Sequence, residues 1–305
     1  MNILDNWWID YKWSEKPNKN KRLNPLQIFA PRPEISVNPK MAAIDAVKKI
    51  VDRYPPPYNL LVSGGVDSQC MILAWVRSGV DFTITHYSYN GENSQDTDTL
   101  IMFCDIYSLK ATIKTFDVRE FIVSDEYTEL AKKYDCASPH ILTYIKLASQ
   151  HDETVIMSGN FISRAGDTTA GVNYTILGLD RFRSISKSNF VPFFLLYTPE
   201  LAHAFYDADI NNQNIAVSKG VSNIEYFAKC KTYNESGFGV IPQINKFTGF
   251  ENIRNSFDDT HVSPKLRMKY KSEKSNRPFD YIFRYSLYDH IGKYSEHTTI
   301  NMNSN

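Results

Sequence analysis

The sequence carries no excess of charge: 34 basic residues stand against 34 acidic ones over 305 positions. Surfaces that bind nucleic acid or anionic membranes by bulk electrostatics carry a surplus of positive charge, so neither is favoured as the principal partner. Cysteine is scarce and scattered. Cys70, Cys104, Cys136 and Cys230 never form a Cys-x-x-Cys pair, which argues against a zinc knuckle or a redox dithiol and leaves buried reduced thiols as the reading. No apolar run approaches the roughly 18 residues of a membrane span, and Met1 to Trp8 lacks a basic region followed by an apolar stretch. A soluble, cytoplasmic protein with no membrane partner is expected. Internal repeats, low-complexity tracts and an evident interdomain linker are also missing. Hydrophobic residues make up 42% and aromatics 13%, enough for a substantial core.

Residues 1 to about 40 mix Trp7, Trp8 and Trp13 with a basic stretch from Lys16 to Arg22 and then Pro25, Pro31, Pro33 and Pro39. They cannot form one regular element, and packing of the tryptophans on the body is preferred over substrate or nucleic-acid contact. From there strand and helix patterns alternate. Met41 to Tyr54 reads as a helix, Asn59 to Val62 as a buried strand, Gln69 to Gly79 as a helix and Phe82 to Tyr89 as a strand. Ser94 caps a helix to about Tyr107, Thr112 to Asp117 is the next strand, and Asp125 to Tyr134 and Pro139 to Ser149 are helical. Thr154 to Met157 is a further short strand ending in Ser158-Gly159. Such alternation predicts right-handed crossovers and a mostly parallel sheet. Beyond residue 175 the pattern is helical, with Pro199 to Asp209 and Val221 to Lys231 as candidates. From about Ser272 the tail is polar, as partly mobile ends are. The expected division is a lead-in over 1–40, a main body over 41–250 and an extension over 251–305.

The stretch with chemical content is Ser63-Gly64-Gly65-Val66-Asp67-Ser68, set between a buried strand and a helix. Adjacent glycines let the backbone approach an anion, and the amides at a helix start carry partial positive charge that favours phosphate oxygens. The Ser63 and Ser68 hydroxyls add donors. Asp67 is unsuited to touch phosphate, because two anions repel, and reads as a carboxylate on a magnesium ion shared with the phosphates. The Walker spacing and its lysine are absent, so γ-phosphate hydrolysis is not indicated. In an open parallel sheet the Ser158-Gly159 turn should face the same cleft.

Ser-Gly-Gly-x-Asp-Ser after a strand resembles the signature of the PP-loop, or N-type, ATP pyrophosphatases. Sulfur-transfer members use a suitably placed reactive cysteine, the sulfonucleotide reductases a terminal Glu-Cys-Gly and the cyano-deazaguanine synthases a cysteine cluster, and none of these is evident. From about residue 57 to 250 the chain is more similar to the synthetase domain of the asparagine synthetase and β-lactam synthetase group. The matching stretches are Asp96-Thr97-Asp98, Ser138-Pro139, Met157-Ser158-Gly159, Asp180-Arg181, Val191-Pro192-Phe193, Lys229 or Lys231, and Pro242 with Lys246, Gly249 and Phe250. The group's Glu-Gly-x-Asp-Glu after Ser-Gly is replaced by Asn160 to Asp167, and Phe190 stands where an arginine precedes Val-Pro-Phe. No glutaminase domain is present, so this chain is not expected to make ammonia from glutamine.

The resemblance implies an α/β fold of the adenine-nucleotide α-hydrolase (PP-loop, HUP) type with a helical C-terminal portion. It further implies ATP and Mg2+ as cofactors and cleavage of ATP to AMP and pyrophosphate. AMP would activate an acceptor carboxylate or carbonyl for attack by an amine or ammonia. The nucleotide would lie against Ser63, Gly64, Gly65, Val66, Asp67, Ser68, His86, Ser88, Ser158 and Gly159. Metal would be held by Asp67 and Asp167, with Lys229 and Lys231 as the catalytic lysines and Arg164 as a further member of the cleft. His86 reads equally as a satisfied core histidine. A homo-oligomer is compatible with the sequence. Two rival readings stand beside this one: a nucleobase- or tRNA-modifying enzyme using the basic stretches Lys16 to Arg22 and Lys265 to Lys274, and a non-catalytic nucleotide-binding protein.

Overall fold

The computed structural model describes residues 11–13, 26–29, 37–133, 139–159, 163–165, 169–171, 189–219, 223–243, 248–250, 252–253 and 299–301. Two short strands come first, β1 (Tyr11–Trp13) and β2 (Leu26–Phe29). Helix α1 (Pro39–Arg53) begins on Asn38, whose side chain accepts from the Lys40 amide at 2.9 Å, and proline at its first position suits a turn whose amides have no helical partner. Strand β3 (Tyr58–Val62), helix α2 (Val66–Ser78), strand β4 (Thr83–Ser88), helix α3 (Ser94–Ile106) and strand β5 (Ala111–Thr115) follow. Their bounds lie within a few residues of the sequence reading. Gly79 ends α2 in the left-handed conformation, φ 71°, which a glycine adopts without Cβ strain.

After β5 the chain forms α4 (Val118–Val123), α5 (Asp125–Lys133) and α6 (Pro139–Ala148), then β6 (Thr154–Ile156). The sequence reading lacks α4, a single short turn started by Asp117, whose carboxylate accepts from the Glu120 amide. Strands β7 (Ser163–Ala165), β8 (Thr169–Gly171) and β9 (Phe190–Val191) precede α7 (Pro199–Ser218) and α8 (Ile224–Glu235), and β10 (Thr299–Asn301) closes the order. Helix α7 runs nine residues past the expected Asp209. The polar run Asn211 to Asn214 reads locally as an end, yet Asn212 is buried and donates to Thr232 Oγ1 at 3.0 Å, so packing on α8 overrides propensity.

The main sheet has five strands in the order β5-β4-β3-β6-β9, every neighbouring pair parallel. The expected mostly parallel α/β body is therefore present. From β3 the chain steps outward through β4 to β5, then crosses back to β6 and on to β9. With right-handed crossovers, that reversal sends α4, α5 and α6 to the face opposite α2 and α3. Helix α2 is buried on all sides: every residue from Val66 to Trp75 is buried. Trp75 anchors it, with ring centroids 5.2 Å from Tyr58 and 6.1 Å from Phe82. A helix so enclosed needs no polar face, which is why its sequence reads as nearly uniform apolar filling after the loop.

A second sheet, β1-β2-β10-β8-β7, joins pieces distant in sequence. Here β10 pairs parallel to β2 and antiparallel to β8. Part of the polar tail, read from the sequence as a partly mobile end, thus lies in regular structure at Thr299–Asn301. Strands of three or four residues carry little local signal and are specified by their partners.

Candidate functional site

Reversal of strand order between β3 and β6 leaves a crevice beyond their carboxyl ends, the place where open α/β sheets bind ligands. Both Ser-Gly turns sit there. Ser68 Oγ lies 3.2 Å from Ser63 Oγ and 3.4 Å from Ser158 Oγ, and it accepts from the Ser63 amide at 3.2 Å. Three hydroxyls from the two turns therefore converge, as expected for one shared cleft. Ser63, Ser158 and Gly159 are partly exposed, while Gly64 through Ser68 are buried.

The adjacent glycines do different work. Gly64 has φ +89°, and a Cβ there would lie 2.1 Å from the Asp96 carbonyl oxygen, so it is fixed by conformation and by close packing on α3. Gly65 has an ordinary φ of −66°, and its Cβ would meet only Ser63 Oγ, at 3.4 Å. Gly65 is the N-cap of α2, and no side chain caps that helix. The first amides of α2 consequently remain directed at the crevice, where an anion can accept from them. Gly159, φ +62°, is likewise held by contact, since a Cβ would press on Phe193 at 2.5 Å.

Asp67 was expected to face a metal. Instead its Oδ2 pairs with Lys229 Nζ at 3.2 Å, and its Oδ1 accepts from the Tyr233 hydroxyl. All three side chains are buried, Tyr233 completely. Burial, then the Asp67 charge, pushes the Tyr233 phenol well above its usual range, so it stays a donor. Burial and the same charge raise the Cys70 thiol, which argues for a structural thiol. A magnesium ion calls for open oxygen ligands. Both oxygens of Asp67 are engaged, and no group of three or more His, Cys, Asp or Glu able to hold a metal occurs among the described residues. These donors do not fit a metal. Asp167 lies outside the described residues, and the Arg164 side chain is likewise undescribed.

The two lysines part company. Lys229 reaches the loop through Asp67, whereas Lys231 pairs with Glu235 one turn along α8. Two residues along a helix are separated by about 200° of rotation, so these ammonium groups leave α8 on nearly opposite sides.

His86 is buried at the end of β4, with Nδ1 2.9 Å from the Val62 carbonyl and Nε2 2.9 Å from Thr97 Oγ1. Burial lowers its pKa, and the neutral ring fits by donating from Nδ1 and accepting at Nε2. Both nitrogens are thus occupied in tying β3 to α3, the arrangement of a satisfied core histidine. Ser88 ends β4 at the carboxyl edge, where its carbonyl accepts from the Phe116 amide at 2.9 Å.

Sequence reasoning passed over the residues that brace the loop. Gln69, wholly buried, donates to the Gly64 and Ile241 carbonyls at 2.9 and 3.1 Å and accepts from the Ile241 amide at 2.6 Å. Gln243 donates to Asp96 at 2.6 Å, and its own amide donates to the Tyr226 hydroxyl at 2.8 Å. Its buried Oε1 has no hydrogen-bond partner among the described residues. A Cβ at Gly249, φ +85°, would lie 3.0 Å from Glu92 and Asn93, while the Phe250 ring meets Tyr89 edge-on and His140 at a tilt. The Pro-to-Gly-Phe stretch is thereby brought to the start of α3. Ser138, Asp180, Arg181 and Lys246 fall outside the described residues.

No protein-family model matches the sequence, and no curated protein matches it. Among solved structures the chain is similar to an NMN synthetase from Francisella tularensis, with a TM-score of 0.31 and 15% identity, covering 68% of this chain and 98% of that one. It is also similar to an NH3-dependent NAD synthetase from Campylobacter jejuni subsp. jejuni, solved with nitrate, with a TM-score of 0.32 and 14% identity over 68% and 97% of the two chains. No described helix is long and apolar enough to cross a membrane.

Proposed function

We propose that this chain is an ATP-dependent adenylating ligase of the PP-loop type, which splits ATP between the α and β phosphates. AMP passes to an acceptor carboxylate or carbonyl oxygen, and an amine or ammonia then displaces it to form an amide or other C–N bond. The observation that carries this reading is the convergence of the uncapped start of α2 with the Ser63, Ser68 and Ser158 hydroxyls at the strand-order reversal.

In this reading the loop amides and the three hydroxyls hold the pyrophosphate oxygens. Charge accumulates on that group as the α–β bond breaks, and donors fixed in advance stabilise it without reorganising. The Lys229 ammonium, paired with Asp67 in the first turn of α2, is the positive charge nearest the loop in this reading. Magnesium is expected to arrive on the nucleotide's own phosphates rather than on Asp67. Ligase specificity of the asparagine synthetase kind remains part of the proposal, resting on the matched sequence stretches.

Radiolabelled ATP, incubated with pools of carboxylate acceptors and ammonia, tests the reading by chromatography of the products. Acceptor-dependent AMP and pyrophosphate are expected. ADP and phosphate as main products overturn it, and ATP binding without turnover in any pool favours a non-catalytic nucleotide-binding protein.

A further inference from the structure

The first turn of α2 holds one carboxylate beside the loop, and the structure gives that carboxylate a cation of its own. Lys229 and Tyr233 stand one helical turn apart on α8 and meet Asp67 from the same side, one at each oxygen. Side-chain exposure is 8% for Lys229 and 10% for Asp67. A buried pair of this kind is held firmly, because removing one partner strands the other's charge away from water. A divalent ion at Asp67 would have to displace this buried ammonium from the carboxylate oxygen it holds. The phenol adds a second restraint: it fixes the carboxylate's rotation so that Oδ2 faces Lys229.

We propose that Asp67 is the anchor of Lys229 rather than a ligand of a divalent cation, and that the Lys229 ammonium is the positive charge met by the pyrophosphate group in the Ser63–Ser68 loop. The proposal rests on reading that loop as a pyrophosphate cradle and extends it to how the site obtains its charge. Tyr233 is then a positioning residue, acting on the anion through Asp67 and Lys229. An ammonium carries three donors on one point charge and suits an oxyanion that presents several acceptors. The loop thereby gains the lysine that its sequence lacks, supplied from a helix more than 150 positions away.

Inorganic pyrophosphate and Mn2+ are the probes. Calorimetric titration of pyrophosphate in EDTA should show binding to the wild-type protein. Lys229→Met should weaken it roughly tenfold to a hundredfold, the range for one charge-assisted hydrogen bond. Because Lys229→Met strands the Asp67 charge, the paired variant Lys229→Met/Asp67→Asn supplies a folded comparison, and the same loss is expected there. Tyr233→Phe should weaken binding in the wild-type background and add nothing in the paired variant, whereas a purely structural tyrosine would add the same factor in both.

Mn2+ binding, followed by electron paramagnetic resonance without pyrophosphate, should be the same for wild type and Asp67→Asn. Mn2+ binding that Asp67→Asn abolishes overturns the anchor. Pyrophosphate binding that requires a divalent ion, or that survives unchanged in the paired variant, overturns the role of the ammonium. Failure of wild-type protein to bind pyrophosphate in either EDTA or excess Mg2+ overturns the cradle reading and the ammonium's role with it. The Mn2+ comparison still decides the anchor by itself.

Discussion

Alanine placed separately at Gly64 and at Gly65 should damage different properties, although the two positions are neighbours in one loop. At Gly64 the new methyl must accept φ +89° and a 2.1 Å approach to the Asp96 carbonyl oxygen, where real contacts stay beyond 3.0 Å. The left-handed conformation costs roughly 1 to 2 kcal/mol for an L-residue, and forcing extra volume into packed backbone costs about 1 to 3 kcal/mol more. A total of about 2 to 5 kcal/mol corresponds to a fall in Tm on the order of ten degrees for a body of this size. At Gly65 the backbone is already ordinary and the nearest atom is Ser63 Oγ at 3.4 Å. The fold should lose no more than about 1 kcal/mol there, the usual cost of alanine at a helix N-cap. Its methyl, however, occupies the approach to the α2 amides, so pyrophosphate affinity should fall. Thermal unfolding and calorimetric titration on the same preparations measure both. A Gly64→Ala protein as stable as wild type, or a Gly65→Ala protein less stable than Gly64→Ala, would refute this division of labour.

Gln69→Leu should lower unfolding free energy by about 2 to 4 kcal/mol, because it removes the bond to the buried Gly64 carbonyl and both bonds to the partly buried Ile241 backbone. Amide hydrogen exchange at Ile241 should accelerate, and unchanged exchange would argue against the brace. Burial lowers the pKa of both His86 and His151. The unfolded chain therefore binds their protons first, so stability is complete above about pH 6.5 and declines as pH falls, by at most about 1.4 kcal/mol per pH unit for each ring. Urea midpoints at descending pH should show this decline, and His86→Gln should reduce its slope; a midpoint that rises on acidification contradicts the sign. Lys229→Met should lower pyrophosphate affinity about tenfold or more. Lys231→Met should change it less than about twofold, as for an exposed helical ion pair, and equal losses would undo the distinction drawn from α8.

The loop and its setting were legible because they obey local rules. Asn59 to Val62 is apolar enough to be a central parallel strand, Gly79 marks the end of α2, and Ser158-Gly159 repeats the chemistry of the first turn at the end of another strand. The parallel sense of the main sheet then followed from alternation of element types, whereas the strand order is seen only in the structure. What stayed hidden depends on distant partners. Gln69 looks like one polar residue in an apolar helix, and only its burial shows that it must be bonded elsewhere. A sharper signal lay in α8. Lys229 and Tyr233 are four apart and share a face, while Lys231 shares another with Glu235, so helical spacing alone separated the lysines. The small sheet had no such cue, since β2, β8 and β10 are specified by one another across the length of the chain.

The bonds around the loop fall into two kinds, and the difference bears on how a ligand enters. Asp67, Gln69 and Asp96 are tied to α8 and to the 241–243 segment by bonds that reach across about half the chain, those of Asp67 and Asp96 buried and those of Gln69 partly so. Breaking one of them costs a buried or partly buried hydrogen bond, so they hold the backbone of the loop in place before a ligand arrives. The Ser63, Ser68 and Ser158 hydroxyls are bonded to one another at 3.2 and 3.4 Å, longer than the usual spacing of about 2.7 to 2.8 Å between hydroxyl oxygens. Those contacts are weak, and phosphate oxygens replace them with shorter, charge-assisted bonds. A rigid frame thus surrounds a small set of exchangeable hydroxyls, and the free energy of anion binding goes into the contacts rather than into ordering the loop.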